Sequence, residues 1–253
     1  MLCFGTNTFD SSLDKVFDKE YTFIIVPTVG TIMKEVPIMR VSKKYDVRLT
    51  EILDAAEALF SQIGYEKTTI NNILEKVGIG KGTFYHYFQS KEELGEAVVA
   101  RIVDYIAASV DVARSKPAIN AHEKMIATLY ALRINENPHT ESIIAMGNPY
   151  NAFLHQKALI KVVGDIAPMM AAIAEEGIAE GFYKSEYPLE IFEVSLAAIQ
   201  TIYNWNIMNK TYTELFLRMT AIVHLMELSL GAPEGSFGIL LENIPTGKEC
   251  QDG

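Results

Sequence analysis

The sequence has few of the residues that mark disulfide-rich, metal-binding or low-complexity proteins. Its 253 residues include only two cysteines, Cys3 and Cys250, at opposite ends of the chain. This arrangement gives neither a disulfide framework nor a metal-binding pair, and it fits a reducing compartment such as the cytoplasm. The 16 glycines and 9 prolines are too few for a collagen-like or low-complexity chain, and a hydrophobic content of 49% is too high for a disordered one. The length suits one large folded domain or two small ones.

Long hydrophobic runs and enzyme motifs are also missing from the sequence. The longest apolar stretch near the N-terminus, residues 21–33, is shorter than the roughly 20 residues of a membrane helix and follows an acidic segment. We therefore expect no membrane insertion and no export. There is no glycine-rich phosphate loop and no nucleophile elbow, which argues against an enzyme and against a cofactor. The histidines have no ligand-like spacing, so we expect no metal site.

Positive charge is in deficit, but the deficit is unevenly distributed. The chain carries 22 basic and 32 acidic side chains, a net charge of −10, which taken as a whole speaks against nucleic acid as a partner. Residues 40–91, however, hold eight basic and six acidic side chains, whereas residues 92–253 alone carry a net charge of −10. This asymmetry favours a DNA-binding segment joined to an acidic body.

From residue 46 onward, apolar residues recur every three or four positions in successive segments, which predicts an all-α fold. The first predicted helix begins with Asp46 as its N-cap and ends at Gly64. Short helices follow after Thr69 and from about residue 80 to 88, and Ser90 and Glu93 form the capping-box pattern of a long fourth helix. Later helices are predicted at about residues 118–133, 153–180, 188–208 and 212–230.

These patterns divide the chain into four regions. Residues 1–38 lack a helical period, and two interpretations stay open: a poorly packed N-terminal extension, or translated sequence upstream of a true start at Met33 or Met39. Residues 39–92 are predicted to form a helix-turn-helix domain, on the residues described below, and residues 93–231 a C-terminal helical domain. Residues 232–253, which contain several glycines and prolines, are predicted to be a tail.

Residues 69–91, TINNILEKVGIGKGTFYHYFQSK, carry the functional signal. Two short amphipathic helices joined by a glycine-containing turn are typical of a helix-turn-helix, whose second helix enters the DNA major groove. The apolar side of that second helix can anchor it to its neighbours through Ile79, Phe84, Tyr87 and Phe88. The opposite side presents small, polar and aromatic residues that suit contact with bases or phosphates: Lys81, Gly82, Thr83, Tyr85 and His86.

Candidate phosphate contacts flank the second helix of this pair. Thr68 and Thr69 stand at the N-terminus of the preceding helix, where hydroxyl and amide groups suit an anion. Lys91 stands in the first turn of the fourth helix, where the helix dipole disfavours a cation. A phosphate facing Lys91 would explain that placement.

The stretch from about residue 47 to 101 resembles the DNA-binding domain of the TetR family of bacterial regulators. The matching residues are ILDAAEALFSQIGYEKTTI (52–70) and VGIGKGTFYHYFQSKEEL (77–94). Tyr87 stands where many members carry histidine, and either ring can pack beside Phe88. The resemblance implies a dimeric all-α protein with an N-terminal three-helix DNA-binding domain and a C-terminal effector domain. It also implies DNA contacts at Thr69, Lys81, Gly82, Thr83, Tyr85, His86 and Lys91.

The last two predicted helices, about 188–208 and 212–230, are apolar on more than one side. Such helices must be buried on more than one side, either within a monomeric core or against a second copy of the chain. The family resemblance implies the second arrangement, a homodimer. A small-molecule effector between the middle helices would then act on DNA binding through unequal affinity for two states. Candidate lining residues for its pocket are Tyr130, Tyr150, Phe153, His155, Tyr203 and Trp205.

The sequence thus predicts a homodimeric, ligand-responsive repressor that binds a palindromic DNA operator. An activator or an architectural DNA-binding protein of the same fold is the first alternative, because repression and activation use the same DNA-binding domain. An all-α enzyme is the second alternative, which the missing motifs disfavour.

Overall fold

A computed structural model describes residues 43–116, 119–132, 137–203 and 211–242 of the chain. The predicted N-terminal extension (1–38), the start of the helix-turn-helix domain at residues 39–42 and the last part of the predicted tail (243–253) lie outside these ranges. So do residues 204–208 of the helix predicted at about 188–208, including Trp205.

Within the described residues the regular elements are α-helices with two short 3₁₀ turns, which confirms the all-α fold class. The 3₁₀ turns are Pro149–Asn151 and Gly238–Leu241. The helices are α1 (Lys43–Ile63), α2 (Ile70–Val77), α3 (Lys81–Tyr87), α4 (Lys91–Arg114), α5 (Ala121–Ala131), α6 (Thr140–Ala145), α7 (Ala152–Ala179), α8 (Pro188–Tyr203) and α9 (Tyr212–Leu230). No helix of these ranges has both the length and the apolar character to cross a membrane.

Two glycines end α1 and α2 as the sequence predicts. Gly64 and Gly78 have φ angles of 93° and 72°, in the left-handed region that other residues rarely adopt. At Gly64 a side chain would also collide with its surroundings, since a Cβ atom would lie 2.5 Å from the Cβ of Tyr150. This glycine therefore permits both the turn and the close approach of a distant segment.

One predicted N-cap is wrong, and a predicted capping box is only half formed. The first helix begins at Lys43, so Asp46 lies inside α1 and is not its N-cap; lysine and tyrosine ahead of it are compatible with a further helical turn. Ser90 does cap α4, accepting the Glu93 amide at 3.1 Å. The Glu93 carboxylate accepts the amide of Gln89 at 2.6 Å instead of the Ser90 amide, so the capping box is not reciprocal.

Two large hydrophobic clusters form most of the core, and α4 and α7 contribute to both; a third, small cluster surrounds Leu215 and Met219 of α9. The first cluster joins α1, α2, α3 and the first half of α4 to Leu154 and Ala158 of α7. The second cluster is built from α5, α7, α8 and α9, with Phe192 and Met170 fully buried. The described residues all belong to one compact unit. The predicted boundary between residues 92 and 93 therefore marks no structural break, because the first cluster includes Leu94, Val98, Val99, Ile102 and Val103 of α4.

The predicted tail from residue 232 is wrong for residues 232–242. Glu227, itself buried, accepts the amides of Gly235 at 3.0 Å and Phe237 at 2.7 Å. The Phe237 ring is fully buried in the second cluster, and residues 239–241 pack against it. Glycines and prolines marked this segment as irregular, but its apolar side chains cover the end of the core.

The middle of the chain is more helical than the sequence predicts. Between the helices predicted at about 118–133 and 153–180, where the sequence predicts no helix, the structure has α6 and the 3₁₀ turn Pro149–Asn151. α5 is shorter than the predicted 118–133. α7 continues through Pro168, which lies exposed on the helix. Proline removes one backbone donor there, yet the packed apolar face of α7 outweighs that loss.

Replacing Phe237 by alanine should test the packing of the C-terminal segment. We expect Phe237→Ala to lower the free energy of unfolding by about 3–5 kcal/mol, since it empties a fully buried aromatic site. Urea denaturation at one fixed protein concentration measures this change. Ser236→Ala, in the same turn, is the control: it removes only the bond from the Ser236 hydroxyl to the Pro233 carbonyl and should cost about 1 kcal/mol or less. Equal effects of both variants would contradict the assignment.

Candidate nucleic-acid interface

Burial of Phe84 orients α3 so that its remaining residues face solvent. Phe84 is fully buried and Phe88 is 4% exposed, and both pack in the first cluster with Ile73 and Leu74 of α2. The residues predicted to contact DNA on this helix are all exposed: Lys81, Gly82, Thr83, Tyr85 and His86. The two-sided character of α3 is therefore as the sequence predicts, and the DNA contacts themselves stay a prediction.

Nothing within the described protein requires glycine at position 82. A Cβ atom added there would meet no atom within 4 Å, and the backbone does not have a positive φ angle. Glycine in a helix costs about 0.5–1 kcal/mol relative to alanine. Its presence in the exposed first turn of α3 is explained if another molecule approaches the backbone closely.

The two threonines before α2 play different parts. Thr69 is exposed and caps α2: its hydroxyl accepts the Asn72 amide at 3.2 Å and donates to the Asn72 side-chain oxygen at 2.7 Å. Thr68 is only 1% exposed, and its hydroxyl donates to the Gly64 carbonyl at 2.8 Å. Thr68 is therefore a structural residue of the turn. Its hydroxyl does not face solvent, contrary to the prediction that it contacts a phosphate.

Lys91 holds the turn between α1 and α2. Its ammonium group donates to the carbonyl oxygens of Tyr65 at 3.0 Å and Thr68 at 3.1 Å, and it lies 4.3 Å from the centre of the Tyr65 ring. An ammonium group has three N–H donors, so these two bonds leave one for a phosphate. Sequence reasoning did not find the structural role, because the carbonyls belong to residues 23 and 26 positions away.

An open groove of about 430 Å³ runs beside Lys91 at the N-terminus of α2. Residues from the start of α2, from α3 and from the start of α4 line it: Glu66, Thr68, Thr69, Ile70, Tyr85, Gln89, Ser90, Lys91 and Glu92. It therefore brings together three of the predicted contact residues, Thr69, Tyr85 and Lys91, on one surface.

Two of the predicted effector-pocket residues lie against the helix-turn-helix domain. The Phe153 ring stacks on Tyr65, with centroids 4.8 Å apart and planes 14° apart. The Tyr150 ring lies under the Lys67 ammonium, 3.6 Å from its centroid, and the Tyr150 carbonyl accepts the Glu66 amide at 3.0 Å. These contacts join the two domains, which no local sequence pattern could indicate.

The other predicted pocket residues are dispersed. His155 of α7 has its Nε2 atom 3.4 Å from the Gln200 carbonyl of α8. Tyr130 is partly buried on α5, and the Tyr203 side chain, like Trp205, is outside the described residues. Among those residues no group of three His, Cys, Asp or Glu side chains is placed to hold a metal ion.

Glu57 of α1 forms a polar cluster with α4 and the α6 region that the sequence analysis missed. The Ser142 hydroxyl donates to its carboxylate at 2.6 Å, His139 Nδ1 lies 2.6 Å from the same oxygen, and Arg101 pairs with the other oxygen. Burial raises the pKa of Glu57, but the bonds from Ser142, His139 and Arg101 together hold that pKa below its ordinary value. Glu57 is therefore a carboxylate at neutral pH.

Asn151 forms a second polar cluster, close to the end of α1. Its side chain is 1% exposed. The side-chain oxygen accepts the Tyr65 amide at 2.6 Å, and the side-chain nitrogen donates to the carbonyls of Phe60 at 3.1 Å and Ala145 at 2.8 Å. One amide group thus joins the end of α1, the following turn and the end of α6.

Comparison with protein families gives two matches on this chain. A family model described as "Bacterial regulatory proteins, tetR family" matches residues 52–98, which include α2, α3 and the start of α4. A second model, described as "Tetracyclin repressor-like, C-terminal domain", matches residues 133–224. Together the two matches cover more than half of the chain.

Individual relatives agree with the family models. The HTH-type transcriptional regulator YhgD of Bacillus subtilis is 28% identical over 157 residues, which are 61% of this chain and 82% of that protein. The HTH-type transcriptional repressor KstR2 of Mycobacterium tuberculosis is 24% identical over 159 residues, 60% of this chain and 77% of that protein. The crystal structure of RolR in complex with resorcinol matches with a TM-score of 0.53 at 17% identity, over 80% of this chain and 97% of that one. At that identity the match shows the fold alone.

The glycine at position 82 offers a test of close approach by DNA. We expect Gly82→Ala to leave the fold intact and to stabilise it by about 0.5–1 kcal/mol, because the added methyl group meets no protein atom. The same variant should bind DNA more weakly in a gel-shift titration, since the methyl group would stand between α3 and the major groove of the DNA. Gly164→Ala in α7 is the matched control, because a Cβ there also meets nothing within 4 Å. Unchanged DNA affinity of Gly82→Ala would contradict the close approach.

Proposed function

Because this chain belongs to the TetR family of bacterial regulatory proteins, we propose that it is a homodimeric repressor that a small-molecule effector releases from a palindromic operator. It is a DNA-binding transcriptional regulator with an N-terminal helix-turn-helix domain and a C-terminal helical domain. The main support for the proposal is the two-sided character of α3. Phe84 anchors this helix in the core, while five potential contact residues face solvent. The proposal places the protein in the cytoplasm with its DNA and gives it no catalytic role.

In the proposed complex α3 lies in the major groove and contributes most base contacts. Lys81, at the first position of the helix, donates to guanine O6 and N7 or to a phosphate, and Thr83 contacts a thymine methyl group or a phosphate. Tyr85 and His86 extend the same exposed surface. Thr69 and the remaining N–H of Lys91 contact phosphates on either side and so set the position of α3 on the duplex.

Exposed apolar residues on α8 and α9 support the homodimer. Val194 of α8 is 69% exposed, and Leu217, Leu225 and Leu228 of α9 are 61%, 57% and 68% exposed. The spacings of eight and three residues place the three leucines on one face of α9. A row of exposed leucines on a monomer is unfavourable, and a second copy of the chain would cover it. Dimerisation would hold two α3 helices about one DNA turn apart, roughly 34 Å, to match a palindrome.

The second hydrophobic cluster is the proposed region for the effector. Tyr130 on α5 and His155 on α7 lie on helices that build this cluster, and Tyr203 follows on α8. The fold match to RolR, solved with resorcinol, supports a small-molecule effector for a protein of this architecture. The effector acts only if it binds the DNA-free state more tightly than the DNA-bound state.

Selection of bound fragments from genomic DNA tests the function directly. We expect a palindromic sequence to be enriched and the purified protein to bind it specifically. Lys81→Ala should weaken binding to that sequence by about 1–3 kcal/mol and relax the preference at one base position. Lys76→Ala, an exposed lysine at the end of α2 outside the predicted contact set, is the control and should keep the base preference.

If the unmodified protein enriches no particular sequence in the selection, the proposed function is contradicted. Equal effects of Lys81→Ala and Lys76→Ala would contradict the assignment of the base contact. A reporter placed behind the selected operator separates repressor from activator: deletion of the regulator should raise expression, and a fall in expression would identify an activator.

Replacing a leucine of the exposed α9 face should break the dimer. We expect Leu225→Asp to weaken dimerisation by about 2 kcal/mol or more, as loss of a buried interface anchor does. Sedimentation velocity across micromolar concentrations measures the dissociation. Val112→Asp on α4 is the matched control, because Val112 is 63% exposed and lies outside the proposed interface. A dimer unaffected by Leu225→Asp would place the interface elsewhere.

A further inference from the structure

Two polar clusters, one around the partly buried Glu57 and one around the fully buried Asn151, join α1 to a single short segment, residues 137–151, that comprises α6 and the turns on either side of it. We call residues 137–151 the junction segment. The bonded residues lie 81 to 91 positions apart in the sequence. The contacts therefore link the helix-turn-helix domain to a distant part of the chain.

The Glu57 cluster connects the middle of α1 with the first half of the junction segment. Only 12% of the Glu57 side chain is exposed, and its carboxylate faces His139, Ser142 and Arg101. The Ser61 hydroxyl, one turn further along α1, donates to the Ser142 hydroxyl at 3.2 Å. Glu57 is thus a largely buried charge whose partners must stay in place, because breaking such a set leaves the charge without compensation.

The Asn151 cluster connects the end of α1 with the second half of the junction segment. Both ends of the Asn151 amide are used: the oxygen accepts one backbone amide of the turn, and the nitrogen donates to carbonyls from α1 and α6. The neighbouring Tyr150 carbonyl adds a bond from the Glu66 amide at 3.0 Å. A displacement of the junction segment by one hydrogen-bond length would break the three bonds to Phe60, Tyr65 and Glu66 together, whereas the bond to Ala145 lies within the segment.

Directional polar contacts set position in a way that apolar contacts do not. Apolar helix contacts tolerate small sliding movements, whereas hydrogen bonds weaken steeply when distance or angle changes. The two clusters hold α1 at sites about one turn apart, at Glu57 and at the Phe60 carbonyl, and the second cluster also holds the turn that follows α1. Two such attachments fix the orientation of α1 against the junction segment, and α1 supports α2 and α3.

We infer that Glu57 and Asn151 are positioning residues: they hold the helix-turn-helix domain at a fixed orientation to the C-terminal domain through the junction segment, and DNA binding depends on both clusters staying closed. The inference rests on the proposed function, since fixed orientation matters when two α3 helices of a dimer must match two half-sites. Neither residue contacts DNA in this scheme.

The first test compares two carboxylates that pair with the same arginine. Arg101 binds both Glu57 and Asp54, but the Asp54 side chain is 64% exposed and lies outside both clusters. The parent protein and all variants carry Cys3→Ser and Cys250→Ser, so that the cysteines introduced in the disulfide experiment below have no other partner. We expect Glu57→Ala to weaken binding to the selected operator by about 5- to 150-fold, the usual range of coupling between sites. Asp54→Ala should stay within about twofold of the parent protein, as expected for an exposed ion pair.

Salt dependence separates positioning from lost DNA contacts. Because Glu57 contacts no phosphate, the slope of log affinity against log salt concentration should be the same in Glu57→Ala and the parent. Circular dichroism and sedimentation confirm a folded dimer at the temperature used. If the cluster contributes to stability alone, folded Glu57→Ala binds the operator as tightly as the parent does, and the inference is overturned.

A reversible covalent bond provides the rescue experiment. The Oγ atoms of Ser61 and Ser142 are 3.2 Å apart, so cysteines at these positions are within reach of a disulfide. Adding Ser61→Cys and Ser142→Cys to Glu57→Ala should restore operator affinity when oxidised, and reduction should remove it again. Mass spectrometry monitors the bond. Failure of the disulfide to form would contradict the contact between α1 and α6, and formation without restored affinity would contradict the positioning role.

The Asn151 cluster is tested in the same way, with a neighbouring asparagine as the matched control. Asn151→Leu removes both polar ends of the buried amide and should weaken operator binding with an unchanged salt slope. Asn148→Ala, in the same turn, removes only a local bond to the Tyr150 amide at 3.0 Å and should bind normally. If the parent binds no DNA, the proposed function fails; if the parent binds and Asn151→Leu matches it, the positioning role alone fails.

Discussion

The packing of Tyr65 is the constraint on which the arrangement of the whole chain depends. This residue forms the turn between α1 and α2, and its ring lies between Phe60, Phe153 and the backbone of Gly95. A Cβ atom at Gly95 would lie 2.9 Å from the Tyr65 ring, so α4 approaches this closely only without a side chain there. Burial, helped by the nearby charges of Glu92 and Glu96, raises the pKa of Tyr65 to about 12, so the phenol stays neutral.

The backbone of the same turn carries the polar contacts that connect the DNA-binding helices to the rest of the protein. The Tyr65 amide donates to Asn151, its carbonyl accepts from Lys91, and Thr68 ties the turn to Gly64. α1, α4, the junction segment and α7 therefore meet at five consecutive residues, 64–68. A movement of α4 or of the junction segment would act on the start of α2, and so on the position of α3, through these contacts. Lys91 belongs to this set, so a phosphate contact by Lys91, as proposed, would link the strength of DNA binding to the geometry of the turn.

Features encoded by neighbouring residues could be predicted from the sequence, and contacts between distant residues could not. Three such features depend on a few adjacent positions: the spacing of Phe84 in α3 and Phe88 just after it, the left-handed glycines at 64 and 78, and the cap at Ser90. Glu57 reads as an ordinary surface acid of an amphipathic helix, because Ser142 and His139, which bind it, are more than 80 residues away. The predicted tail failed for a related reason. Glycine and proline predict irregular backbone, but they do not indicate whether an apolar residue such as Phe237 is buried.

The distribution of charge explains why position matters more than overall attraction in this regulator. Residues 40–91 have a net charge of only +2, and residues 92–253 a net charge of −10, so a broad electrostatic attraction to DNA is weak. In the proposed homodimer, affinity would then come from a few contacts made simultaneously by two copies of α3. Such contacts form only if both helices reach the duplex at the correct angle and spacing. A weakly charged DNA-binding domain thus makes binding sensitive to small changes of orientation, which is the property that a switch controlled from the C-terminal domain requires.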